Sequence, residues 1–121
     1  VKSGGRTTSP TNALPGWPKA SDKWNVAYAQ YLELEKQAGR VKYWWYEAFS
    51  LWLPGQVRYR PDFLIQYPDG LERKLHFVEI KGFSKNLRDG ITRYKLAAAL
   101  FPCFDWSMMK RKGHGWEEYG V

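Results

Sequence analysis

Two extended runs on either side of Pro68-Asp69-Gly70 constrain this chain more than any other feature. Val57–Tyr67 reads as one strand and Arg73–Lys81 as the next, with the Pro-Asp-Gly triplet as their hairpin connection. Side chains alternate along a strand, so Leu75, Phe77, Glu79 and Lys81 share one face while His76, Val78 and Ile80 share the other. Both faces carry large apolar groups, and the segments before and after these runs are suited to covering them. Ser21 or Asp22 caps a helix through WNVAYAQYLELEKQA, with Trp24, Tyr28, Tyr31 and Leu32 on one side and Gly39 as the stop. Val41–Leu53 reads as extended, its odd positions forming an apolar face that Glu47 interrupts. It ends at the Pro54-Gly55 turn. Asp89 caps a second helix from about Ile91 to Phe101, Pro102 ends it, and Phe104–Lys110 forms a fourth strand before a basic loop and WEEY. The order helix–three strands–helix–strand predicts an α/β domain: a mixed sheet flanked by helices, over residues 21–121. Residues 1–20 are rich in Gly, Ser, Thr and Pro and read as a flexible N-terminal arm, with Leu14 and Trp17 as anchors.

Composition narrows the classes. A chain of 121 residues has room for one core. Its 44% hydrophobic content, including seven Trp, eight Tyr and six Phe, excludes a disordered polyelectrolyte. No apolar run approaches the roughly 18–20 residues that span a bilayer, so no membrane partner is expected. Cys103 stands alone, which excludes an internal disulfide and a cysteine-based zinc site and suggests a reducing, cytoplasmic setting. His76 and His114 lack a second ligand at zinc spacing, and a serine or cysteine nucleophile lacks a credible base. The net charge of +7 either serves solubility or marks an anionic partner, nucleic acid first. Composition leaves open whether the rings stack on bases or fill the core.

The residues that carry chemistry are Pro61-Asp62 on the second strand and Glu79-Ile80-Lys81 on the third. A hairpin lets Asp62 approach Glu79, and two converging carboxylates make a hard oxygen site suited to Mg²⁺ or Mn²⁺. Such a cation activates water and offsets charge at a phosphoryl centre, and a lysine two residues from one ligand can orient the attacking water. The same residues are equally compatible with a solvated sheet face carrying a Glu–Lys pair.

The stretch YRPDFLIQYPDGLERKLHFVEIKGF, preceded by AYAQYLELEKQAGRVKYWWYEAFSLWL and followed by RYKLAA, resembles the small phage and prophage endonucleases of the PD-(D/E)xK superfamily. The resemblance runs from about Ser21 to Tyr119. It implies a restriction-endonuclease-like core, Mg²⁺-dependent hydrolysis of DNA phosphodiesters, branched or structured DNA among the candidate substrates, as for the related junction resolvases, and a bacterial host cytoplasm. It also implies a site of Asp62, Glu79 and Lys81, with the Ile80 backbone carbonyl as a further metal ligand and no small-molecule cofactor. Relatives of this type carry a glutamate early in the first helix; here that place is taken by Asn25, whose amide oxygen can coordinate a metal but brings no charge. The outcome is a weakened nuclease, or a non-catalytic DNA-binding module that retains the fold; Glu47 is an alternative source of the third acid. Arg60, Lys85, Arg88, Arg93, Lys95, Lys110, Arg111 and Lys112 are the candidate DNA contacts, with Tyr59 lining the groove beside Arg60. Arg93 and Lys95 diverge on a helix, so one of them is expected to reach the site. Cutting two strands calls for two sites, which makes a homodimer an expected assembly. A protein-binding module anchored by Trp44, Trp52 or Trp116 is a third reading.

Overall fold

The computed structural model describes residues 15–82 and 87–120. The chain is mixed α/β: α1 (Lys23–Gln37), β1 (Tyr43–Tyr46), β2 (Leu51–Leu53), β3 (Val57–Tyr59), β4 (Phe63–Gln66), β5 (His76–Ile80), α2 (Leu87–Leu100), β6 (Asp105–Lys112) and β7 (Gly115–Glu118). Five strands form one sheet in the order β1-β4-β5-β6-β7, and β2 and β3 form a separate hairpin. All neighbours in the large sheet are antiparallel except β5 and β6, which α2 connects in parallel, so the sheet is mixed.

The first two expected strands are each broken in two, whereas the third is the single strand β5. Val41–Leu53 divides into β1 and β2, and Val57–Tyr67 into β3 and β4. The cause is at Glu47, which turns the chain out of β1 with a φ of 46°. Residues 47–62 then make an excursion that carries the β2–β3 hairpin, and the Glu47 N–H donates to the Asp62 carbonyl at 2.8 Å to close its base. Strand β4 returns beside β1, pairing Tyr46 with Phe63 and Tyr43 with Gln66. Glu47 therefore does not interrupt the apolar face of a continuous strand; it ends the strand. The odd-position face is also corrected, since Trp44 is buried while Tyr43 and Phe49 are exposed. With rings at four consecutive positions, 43–46, sequence alternation carries no parity signal there.

Two cores lie on opposite sides of the sheet. Tyr28, Ala29 and Leu32 of α1 pack on Trp44, Phe63, Ile65, Val78 and Ile80. Phe63 is fully buried among Tyr28, Trp44 and Tyr46, with ring centroids 5.2–6.0 Å away. Tyr94 and Ala97 of α2 pack with Leu53, Tyr59 and Met108 on the other side. Trp17 docks edge-on against Trp44 at 5.1 Å, whereas Leu14 and the residues of the expected arm before it lie outside the described residues. Trp24 and Tyr31, expected on the packed face of α1, are largely exposed. Asp22 occupies the N-cap of α1 but makes no side-chain capping bond. The second helix starts four residues before Ile91, and the closing basic loop with WEEY is the β6–β7 hairpin. No helix among the described residues is long and apolar enough to cross a membrane.

Candidate active site

Register brings the acids together. Phe63 pairs with Val78, so one step further along the antiparallel ladder Asp62 stands opposite Glu79. At that step side chains take over from the backbone. The Asp62 N–H donates to Glu79 Oε1 at 3.3 Å, and Asp62 Oδ2 accepts the Ile80 N–H at 2.8 Å. The hairpin excursion adds a third contact: Tyr59, buried, donates its hydroxyl to the same Glu79 Oε1 at 3.0 Å. Asp62 Oδ1 and Glu79 Oε2 have no hydrogen-bond partner among the described residues.

The electrostatics are those of a strained acid pair. Burial, followed by the Glu79 charge, holds the Asp62 carboxyl well above the usual carboxylate range; the Ile80 N–H opposes this, and Glu47 and Asp22 add to it. Burial pushes Glu79 up to about 7, against the pull of the Tyr59 hydroxyl, the Asp62 N–H and the Arg93 charge, with Glu47 reinforcing the rise. Burial first, and then the charge and hydrogen bond of Glu79, push the Tyr59 phenol far up, so it stays a donor. Two half-buried carboxylates, each with a spare oxygen and with neighbouring acids, are suited to sharing a proton or holding a hard cation.

Comparison with protein-family models, with curated proteins and with solved structures finds no match to this chain.

Lys81 sits on the same face as Glu79 by strand alternation. Its N–H donates to the Met109 carbonyl at 2.8 Å, and its ammonium lies 4.2 Å from the centre of the Tyr119 ring. Asn25 is placed differently. Its amide donates to the Tyr46 hydroxyl at 3.2 Å, and Tyr46 packs on Phe63, on the α1 side of the sheet. Asn25 lines a cleft of about 320 Å³ with Ser21, Asp22, Ile80 and Gly82, so α1 meets the end of β5 beside the acid pair. Among the described residues no three His, Cys, Asp or Glu side chains cluster closely enough to hold a metal between them. A cation here would rest on Asp62 and Glu79 with a backbone carbonyl such as that of Ile80 and water, a donor set that Mg²⁺ accepts because it keeps several waters.

The expected DNA contacts separate into groups. Arg93 faces the site, close enough for its charge to act on Glu79, whereas Lys95 is exposed. Lys110 and Lys112 both pair with Glu117, at 3.2 and 3.1 Å, and Arg111 lies over the Trp116 ring at 5.0 Å, so this basic run is largely engaged within the β6–β7 hairpin. Arg88 falls in the first turn of α2, and Lys85 lies outside the described residues. Arg60 is exposed. Trp44 is buried and packs against Trp17, Trp116 is partly buried against Tyr28, and Trp52 is exposed. Sequence reasoning missed Tyr119 as the seat of Lys81 and Tyr46 as the partner of Asn25. It placed Tyr59 near a groove without its bond to Glu79. No local signal marks any of these, because each pairing spans 20 residues or more.

His76 belongs to a separate network: its Nδ1 meets the Tyr67 hydroxyl at 2.6 Å and its Nε2 meets Ser107 Oγ at 2.8 Å. A base therefore does stand beside a serine, contrary to the expectation from sequence. Burial lowers the imidazole below its ordinary value, and the network satisfies part-buried polar groups on the α1 side of the sheet.

Proposed function

We propose that this chain is a metal-dependent endonuclease with a restriction-endonuclease-like core of the PD-(D/E)xK type, hydrolysing DNA phosphodiester bonds at Asp62, Glu79 and Lys81. One observation carries the reading: the β4–β5 register sets Asp62 against Glu79, each with an oxygen unpartnered among the described residues, and strand alternation puts Lys81 on the same face. Mg²⁺ or Mn²⁺, when bound, would supply Lewis-acid stabilisation of the charge that builds on the phosphate. Asp62 and Glu79 would hold the cation, and the Ile80 N–H and Tyr59 hydroxyl fix the orientation of the two carboxylates. Lys81 swings from the Tyr119 ring to orient the attacking water and neutralise the phosphate. Arg93 offers a second cation to the phosphate at the α2 side.

The direct test is cleavage of linear, flapped and four-way DNA with Mg²⁺ or Mn²⁺. Lys81→Ala and Asp62→Ala should each abolish turnover while leaving DNA binding largely intact; unchanged metal-dependent cleavage by either variant overturns the assignment. One observation favours a second reading, a DNA-binding module without turnover: Asn25, in place of an acid, is committed to Tyr46. That module would keep salt-sensitive DNA affinity in chelator and show no cleavage with either metal.

A further inference from the structure

The β2–β3 hairpin is two-sided. Leu53 and Tyr59 point inward and are buried against Tyr94, Ala97 and Met108. The outer side carries Trp52 directly across from Arg58. Trp52 is 65% exposed, the highest value of any ring in the described chain, and its indole has no ring, cation or hydrogen-bond partner among the described residues. An indole this exposed on an anchored hairpin offers a flat apolar face that a planar ligand can stack on.

Arg58 across from it, and Arg60 just past the end of β3, are uncommitted among the described residues. Elsewhere Arg40, Lys42, Lys110 and Lys112 are ion-paired, while Lys36, Arg73, Lys81 and Arg111 lie over rings. Arg58 and Arg60 are exposed and make neither kind of contact among the described residues. An exposed ring with free guanidinium groups, in a chain of net charge +7, is complementary to an unstacked base and its flanking phosphates. Tyr59, the residue between Arg58 and Arg60, reaches Glu79, so the outer strip is tied directly to the acid pair.

We propose that Trp52, Arg58 and Arg60 form a stacking site for an unpaired nucleotide of a DNA strand entering the active site, which makes DNA with a single-stranded element the preferred substrate class. This rests on the nuclease reading for the location of the scissile phosphate, but the binding event itself needs no catalysis.

The test uses the full chain in EDTA with two labelled probes: a blunt duplex, and the same duplex bearing a single-stranded oligothymidine flap. Fluorescence anisotropy should show Trp52→Ala binding the flapped probe roughly ten- to a hundredfold more weakly, the range of one base–ring stacking contact, with blunt-duplex affinity within about twofold of wild type. Trp52→Phe should retain most of the flap preference, and Arg58→Ala should lower the salt dependence by about one phosphate contact on the flapped probe. Undiminished flap binding by Trp52→Ala overturns the proposal and leaves the indole to a protein partner. Equal losses on both probes, or no DNA binding by wild type, also overturn it. A parallel assay with Mg²⁺ or Mn²⁺ separates the two readings. Flap selectivity lost with Trp52 but no cleavage rejects the nuclease alone, and cleavage with flap binding indifferent to Trp52 rejects the stacking site alone.

Discussion

Asp62 and Glu79 stand opposite one another where the β4–β5 ladder ends, the N–H of the first bonding the carboxylate of the second at 3.3 Å. Each acid is held by backbone N–H groups, yet together they repel, and burial worsens the repulsion. The arrangement is unfavourable for a metal-free fold and favourable for a cation.

Stability of the metal-free protein should fall as pH rises. Glu79 titrates at about 7 in the folded chain against an ordinary 4.5, and Asp62 is also raised, so the native state binds more protons than the unfolded chain in that window. The stability present below about pH 4.5 is lost as pH climbs through 7. Denaturant titrations in EDTA at pH 5 and pH 8 should differ by roughly 1–3 kcal/mol from this pair. Glu79→Gln should remove the Glu79 part of the difference, and Mn²⁺ should restore stability at pH 8 in wild type but not in the variant.

Removing the Tyr59 hydroxyl strips Glu79 of a donor that favours its charged form. Tyr59→Phe should raise the Glu79 titration and move the pH midpoint of Mn²⁺ binding upward, measured by calorimetry at several pH values. The loss of a hydrogen bond to a charged group should lower stability at pH 8 by about 1.5–3 kcal/mol in thermal or denaturant melts.

Asn25→Glu adds a charge on the α1 side of the cleft that Ile80 and Gly82 share. Mn²⁺ affinity should rise by about tenfold or more, since oxygen sites are tuned by ligand charge count. Titration calorimetry reads this independently of turnover, and a parallel gain in cleavage would identify position 25 as the missing acid of the metal site. Unchanged Mn²⁺ affinity would mean that the carboxylate does not reach the acid pair.

Phe63 is completely buried between α1 and the sheet, against three other rings. Phe63→Ala should lower unfolding free energy by about 3–5 kcal/mol through lost burial and a residual cavity, enough to unfold much of a marginal domain. Leu96→Ala, at an exposed position of α2, should change stability by no more than about 0.5 kcal/mol in the same denaturation experiment.

The candidate acids were legible in the sequence because a hairpin signal and a period-two pattern are local. Pro68-Asp69-Gly70 and the alternation through Ile80 suffice to aim Asp62 at Glu79 and to set Lys81 on the same face. The two helices were legible for the same reason, each ending at a stop close to its apolar stripe, although Asp22 makes no capping bond and Asp89 lies in the first turn of α2 and not at its cap. The excursion at 47–62 was not. A run with rings at four consecutive positions has no parity, and a left-handed φ at Glu47 has no signature in a glutamate.

What the sequence by itself determined about this protein is therefore its element types, its charge and the acidic pair with its lysine. Each follows from interactions within about one turn or one strand step. Tertiary structure alone decided what those groups touch. Tyr59 reaches Glu79 across 20 residues, Asn25 reaches Tyr46 across 21, and Lys81 finds Tyr119 only once β6 and β7 have been added to the sheet. It also decided which charges are engaged. Lys110 and Lys112 look available in sequence but are paired with Glu117, whereas Arg58 lies across from Trp52 and makes no ion pair among the described residues. The physical reason is that partner choice depends on packing over long separations, where the entropy of closing the chain is met by the fold as a whole.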